Sequence, residues 1–210
     1  MPLLDGAAIL SVWERGSGQS LGTRALTLLE LTGASPSHAC AMPVGTRDAA
    51  LLRIRRRLFG DRIEGVTSCN ACAEELDVTL SVAALLSEMP PADTHLRIPN
   101  AGDLAAIAAA DDVESGVAQL LERLAPSSED EVAAADPGAE IRLVSACPAC
   151  GARNEAYFDA PSFLWKEVHA LAHDVLWDVH ALARAYGWDE ATILALTPGR
   201  RRFYLEAIQR

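Results

Sequence analysis

Two stretches decide the reading of this chain. The first is Ile63-Glu64-Gly65-Val66-Thr67-Ser68-Cys69-Asn70-Ala71-Cys72-Ala73, running on to Leu76-Asp77-Val78-Thr79-Leu80. The second is Ile141-Arg142-Leu143-Val144-Ser145-Ala146-Cys147-Pro148-Ala149-Cys150-Gly151, running on to Glu155-Ala156-Tyr157-Phe158. Each is a C-x-x-C turn held between two short strand-like segments. Leu76, Val78 and Leu80 alternate with Asp77 and Thr79, the period of a half-buried strand. The pattern predicts strands over 63–66 and 76–82, and again over 141–144 and 155–158. The chain therefore builds two small β-hairpins with a cysteine pair at the tip of each.

A C-x-x-C turn presents two thiolates on one side of a metal, and two such turns supply the four soft ligands that Zn²⁺ takes in a tetrahedron. Cys69, Cys72, Cys147 and Cys150 are the candidate ligands of one zinc-ribbon-like centre. Gly151 follows the second pair, where the turn calls for positive φ, and Ala73 stands at the matching place in the first. Residues 73–146 separate the pairs, far more than a compact ribbon uses, so the two hairpins must meet across an insert. Disulfide pairing and four unrelated buried thiols are the alternatives. Zinc is read ahead of both. Four thiolates close the metal's shell, whereas a catalytic zinc keeps an open position and favours histidine and carboxylate ligands. A redox C-x-x-C needs a thioredoxin-like context that neither pair has. The fifth cysteine, Cys40, reads as a small packed residue.

Working outward, the expected fold is α+β and mainly helical. Two hairpins form the zinc centre, helices flank them on both sides, and a helical insert interrupts them. The segments are 1–62, an N-terminal helical region; 63–82, the first zinc hairpin; 83–138, an acidic helical insert; 139–160, the second hairpin; and 161–210, C-terminal helices, all within one compact domain. Residues 1–20 read as a loose lead-in. Helices are expected over 23–32, 37–41 and 46–59, the last with Leu51, Ile54, Leu58 and Phe59 inward and Arg53, Arg56 and Arg57 outward. In the insert, 95–99 reads as extended. Asn100 or Asp103 caps a helix over 104–110, and further helices cover 114–124 and 128–135. After Pro161 a long helix begins near Ser162. Its stripe runs Trp165, Val168, Ala172, Val175, Val179, Leu182 and Tyr186, and Gly187 ends it. A short helix over 189–196 follows, and Thr197-Pro198 opens a last helix to Gln209.

Half of the 210 residues are apolar and the net charge is −11. Residues 111–140 hold nine of the acids against one arginine, so much of the acidity is local. An acidic surface repels polyanions, and the basic clusters at 53–62 and 200–202 are too small for a nucleic-acid stripe. No apolar run has the length of a membrane span, and the N-terminus lacks the basic start of a signal peptide. These features imply a cytoplasmic chain in a reducing compartment. His169, His173 and His180 share one face of the long helix. Without an H-E-x-x-H motif they read as a polar shoulder of a packing helix rather than a metal site.

The segment Met42-Pro43-Val44-Gly45-Thr46-Arg47-Asp48, running into Leu51-Leu52-Arg53-Ile54-Arg55, resembles a pattern of T4-like phage baseplate proteins, which also occur in contractile injection systems. Trp177-Asp178-Val179-His180-Ala181-Leu182-Ala183, then Tyr186-Gly187-Trp188, Ile193-Leu194-Ala195-Leu196, Arg200-Arg201 and Tyr204-Leu205 are similar to the closing helices of that group. The cysteine pairs resemble the zinc-ribbon-like centre of many of its members. The resemblance runs from about Leu26 to the end and is weakest in the acidic insert. It implies a structural component or assembly factor of a baseplate, with other baseplate or tail proteins as partners, and it supplies no catalytic residues. Neither nucleic acid, membrane nor small-molecule substrate is expected. Trp188, Arg200, Arg201 and Tyr204 are candidate partner-binding residues, since aromatic anchors beside arginine are common hot-spot chemistry. Two competing readings remain. One is a cytosolic zinc-ribbon adaptor or regulatory protein acting on transcription machinery. The other is an enzyme, either a metal-dependent hydrolase built on the histidine stripe or a thiol redox protein.

Overall fold

A computed structural model describes residues 6–92, 95, 97–124 and 128–208. The chain divides into two compact units, Ser20–Leu164 and a second made of Met1–Gln19 with Trp165–Arg210. The expected loose lead-in is instead a helix, α1 (Gly6–Gly16), which buries Ile9, Leu10 and Val12. Those apolar positions carry the helical period. The Gly16-Ser17-Gly18 run that suggests looseness marks only where the helix stops. Asp5, an acid where a signal peptide carries basic residues, lies outside the described residues.

The larger unit opens with α2 (Leu21–Leu29), capped by the Ser20 hydroxyl, and a 3₁₀ turn that Gly33 closes at φ 80°. Pro36, which with Gly33 reads as the end of the preceding helix, sits in the first turn of α3 (Pro36–Ala41), where its missing N–H is harmless. The central helix is α4 (Val44–Phe59). Leu51, Leu52 and Ile54 are almost fully buried, while Arg53, Arg56 and Arg57 face solvent as expected. Arg47 and Arg55 are buried instead. The Arg47 Nε donates to Asp48 at 2.6 Å, and Arg55 Nη1 donates to the Gly60 carbonyl at 2.8 Å.

Strands β1 (Arg62–Ser68) and β2 (Glu75–Ser81) pair antiparallel from Arg62 against Ser81 to Ser68 against Glu75. Val82, expected to end the second strand, instead begins α5 (Val82–Glu88), a helix absent from the sequence reading. Asp61 directs this change. Its carboxylate accepts from the Ser81 hydroxyl and the Ala83 amide, and the Val82 amide donates to the Asp61 carbonyl. Val82 and Leu85 then join Leu52, Ile63, Ile141 and Ala160 in one core cluster, so the start of the supposed insert belongs to the hairpin's own packing.

The remaining insert helices are α6 (Ala101–Ile107), α7 (Val113–Leu124) and α8 (Glu129–Ala135). Asn100 and Asp103, read as alternative caps, act together. The Asn100 side chain accepts from the Asp103 amide and the Asp103 carboxylate accepts from the Asn100 amide, a reciprocal box that satisfies two orphan helix donors. Ser128 and Glu131 do the same for α8. A 3₁₀ turn (Pro137–Ala139) ends the insert against the start of α4. There the Gly45 amide donates to Asp136 Oδ2 at 2.8 Å, and a Cβ on Gly45 would lie 2.7 Å from the Gly138 carbonyl carbon. The Pro43-Val44-Gly45-Thr46-Arg47-Asp48 run is thus a packing motif: a glycine for close backbone approach, then a buried ion pair. The second hairpin is β3 (Arg142–Ala146) with β4 (Arg153–Tyr157).

The long helix α9 (Ala160–Tyr186) is capped by Asp159, whose carboxylate accepts from the Ser162 amide, so the cap lies before Ser162. In the smaller unit Trp165, Val168, Ala172, Val175 and Leu182 form its buried stripe, while Tyr186 at the end is exposed. Gly187 turns the chain at φ 68°. Asp189 caps α10 (Glu190–Leu194), and α11 (Pro198–Ile208) follows from Thr197. Gln209, the expected end of that helix, lies outside the described residues. The protein is a mainly helical α+β chain with two two-stranded antiparallel hairpins. Among the described residues no helix is long and apolar enough to cross a membrane.

Candidate metal centre

The two hairpin tips are built the same way. Strand pairing stops at Ser68 and Glu75 in one and at Ala146 and Arg153 in the other. In the first tip the Cys69 amide donates to the Glu74 carbonyl at 2.8 Å and the Ala73 amide donates to the Cys69 carbonyl at 2.9 Å. In the second, the Cys147 amide donates to Ala152 at 2.9 Å and the Gly151 amide to Cys147 at 2.9 Å. The fifth position of each loop is left-handed, Gly151 at φ 72° and Ala73 at φ 60°. Ala73, which departs from the pattern in sequence, therefore takes the glycine conformation regardless, because the two hydrogen bonds across the loop fix it.

These loops bring the four Sγ atoms together, all within 4.8 Å of one another. The close approaches run between hairpins: Cys69 to Cys150 at 3.8 Å and Cys72 to Cys147 at 3.7 Å. A tetrahedron with Zn–S bonds of about 2.3 Å has sulfur–sulfur edges of about 3.8 Å. The spacing therefore matches the edge of a zinc tetrathiolate. It is far too long for a disulfide, and all four cysteines are free thiols. Cys69 and Cys147 are buried with Leu76, whereas Cys72 and Cys150 face solvent.

The local dipoles favour an anion at one sulfur. Amides of Ala71 and Cys72 aimed at Cys69 hold its thiol down to about 6. At Cys72 the Glu74 amide pulls the same way, but Cys150, burial and the remaining thiols outweigh it and push Cys72 up to about 12. The protein alone supports one thiolate here and resists the next. A dication at the centre removes that resistance, since it stabilises every coordinated thiolate at once.

One part of the centre was not read from the sequence. Asn154, on β4, is almost completely buried, and its Oδ1 accepts from the Asn70 amide at 2.9 Å. Asn70 Nδ2 in turn donates to the Glu155 carbonyl at 3.1 Å. The tip of the first hairpin is thereby keyed to the body of the second. The available signal is a side-chain amide at the inward position of a strand, but its partner lies on the other hairpin.

The other singled-out residues are not members of this ligand group. Cys40 is half-buried and apart from the cluster. On α9, the His169 and His173 rings meet tilted at 47° with centroids 4.5 Å apart, and Trp13 Nε1 donates to His169 Nδ1 at 2.8 Å. His180 packs edge-on to Trp177. Among the described residues the only group of three or more metal-capable side chains is the cysteine quartet. Trp188 stacks on Tyr186 at 4.7 Å and meets Tyr204 edge-on at 4.9 Å. Arg200 is exposed, but Arg201, the other arginine read as a candidate partner-binding residue, is buried, with Nη1 3.7 Å from Asp178 Oδ2. Helical spacing explains the difference, since adjacent residues on α11 point to different sides.

The fold and site define a mainly helical α+β protein whose paired hairpins hold a four-cysteine, zinc-ribbon-like cluster. No family model matches the chain, and no curated protein or solved structure matches it either.

Proposed function

We propose that this chain is a zinc-stapled, non-catalytic binding protein that serves as a structural component or assembly factor of a phage-tail-like baseplate. The observation that carries the first half is the four-thiol cluster with zinc-like sulfur spacing. An all-thiolate donor set leaves no vacant coordination position for substrate, and it joins two hairpins that are distant in sequence. Its work is to hold shape. The baseplate assignment rests on the resemblance at 42–55 and 177–205. The structural cost of the Gly45, Arg47 and Asp48 arrangement accounts for why such a segment would be a recognisable signature of one fold.

Two experiments test the two halves separately. Metal analysis of protein purified without added zinc is expected to give close to one zinc per chain, and folded, metal-free protein with intact thiols refutes the centre. Mass spectrometry of purified tail-like particles from the source cell, with inspection of the neighbouring genes, tests the baseplate role. Its absence from both particles and assembly intermediates, with no sheath, tube or spike genes nearby, removes that role.

A further inference from the structure

A groove of about 700 Å³ runs along the two hairpins of the larger unit. Every residue of β2 and every residue of β3 lines it. Successive side chains of a strand point to opposite faces, so a groove over a face touches alternate residues. Continuous lining marks an edge. Both strands are indeed edges, since each belongs to a two-stranded sheet and no ladder joins β2 to β3. Among the described residues no backbone bond from 75–81 or 142–146 reaches outside its own hairpin. The outward amides and carbonyls of both strands therefore border the groove without a backbone partner.

We propose that this groove takes an extended segment of a partner protein as an added β-strand, one that alternates apolar and basic side chains. Free strand edges bind extended peptide through main-chain bonds, and alternate side chains set the specificity. The alternation follows from β2. Leu76, Val78 and Leu80 lie on one face, with Leu80 packed against the same core as Leu143 of β3. Glu75 and Asp77 lie on the other face and are exposed. Glu88 adds a third acid to the lining, against Arg142. An added strand thus meets apolar groups on one side and carboxylates on the other. The same charge disfavours a second copy as occupant, because each chain carries −11.

The inference rests on the zinc reading of the cysteine cluster, because that cluster joins the two hairpins at one end of the groove, where Pro148 and Asn154 line it. Zinc content is therefore measured on the same sample. The probe is a fluorescent peptide of about eight residues alternating lysine and valine, long enough to span either strand. It is titrated by anisotropy into full-length, zinc-loaded protein. Saturable binding is expected. It should weaken by roughly tenfold or more when the central backbone amides of the peptide are methylated, when glutamate replaces lysine, and in the Asp77→Lys protein. If Asp77→Lys misfolds, Glu88→Lys, on the exposed side of α5, replaces it with the same expectation. Equal binding of the methylated peptide, or indifference to both charge reversals, overturns the proposal. So does a concentration-dependent dimer that Asp77→Lys abolishes, which makes the occupant a second copy. A zinc-loaded protein that ignores the peptide sinks the groove and leaves the zinc centre standing. Metal-free, folded protein that binds it does the reverse.

Discussion

The backbone amide of Asn70 donates to the side-chain oxygen of Asn154 over 2.9 Å, joining the tip of one hairpin to a buried position of the other. This bond orients the first cysteine loop before any metal is considered. Outer contacts of this kind orient the ligands, and losing one typically costs about 10–100-fold in metal affinity. Asn154→Ala removes the acceptor and leaves the Asn70 amide without its partner. Stability is expected to fall by about 1–3 kcal/mol and zinc affinity by about 10–100-fold. Competition with a chromophoric chelator and urea unfolding measure the two. An unchanged zinc affinity means that the two tips align without this bond.

Removing the metal has a larger effect. Because the cysteine cluster joins segments far apart in sequence, the binding energy of a metal held there is expected to be folding energy for both hairpins. Treatment with a strong chelator is expected to lower the melting temperature and loosen the core around Ile63, Leu85 and Ile141. Cys147→Ser, at a buried ligand, should reproduce the loss even in excess zinc. His173→Ala should leave zinc content unchanged, since His173 packs against Trp13 and His169 and is not one of the four clustered ligands. Calorimetry with metal analysis on the three proteins checks the set.

Ala73 carries a left-handed backbone at φ 60°, where its counterpart in the second loop is Gly151. That conformation costs a residue with a Cβ about 1–2 kcal/mol, partly offset because glycine has more freedom to lose on folding. Ala73→Gly is therefore expected to stabilise the zinc-loaded protein by about 0.5–1 kcal/mol, and Gly151→Ala to destabilise it by a similar amount. Opposite signs in chemical denaturation support the equivalence of the two loops. Equal signs refute it.

Asp136 gives a pH signature. Burial raises its carboxyl above the ordinary value of 3.8, although the Gly45 amide and the Arg47 charge pull it down, and its Oδ1 has no hydrogen-bond partner. The folded state thus binds the proton more tightly than the unfolded chain. Stability from this group falls as pH rises from the unfolded value through the raised folded one, and stays lower above it. Asp136→Asn keeps an acceptor for Gly45 and removes the charge. Its stability relative to the parent should be greatest near neutral pH and shrink as pH is lowered toward about 4. Urea unfolding of both proteins at several pH values, at fixed zinc, reads this difference. A constant difference rules out titration of Asp136 as the cause.

The local elements and the chemistry of the centre were legible in the order of the residues. Alternation at Leu76, Val78 and Leu80 gave the strand, the helical stripe from Trp165 to Leu182 gave the long helix, and the two C-x-x-C turns gave a soft four-ligand set. These features depend on near neighbours in the chain and on side-chain type. Tertiary structure alone decided what distant neighbours supply. It gave Val82 to a helix, through the Asp61 carboxylate and carbonyl. It buried Arg47, Arg55 and Arg201 beside their partners, although their composition reads as solvent-facing. It also brought Asn154 under Asn70 and gathered the four sulfurs within 4.8 Å of one another. Periodicity records which face of an element is apolar. It does not record which element will lie against that face, and burial of a polar group is decided by the partner found there.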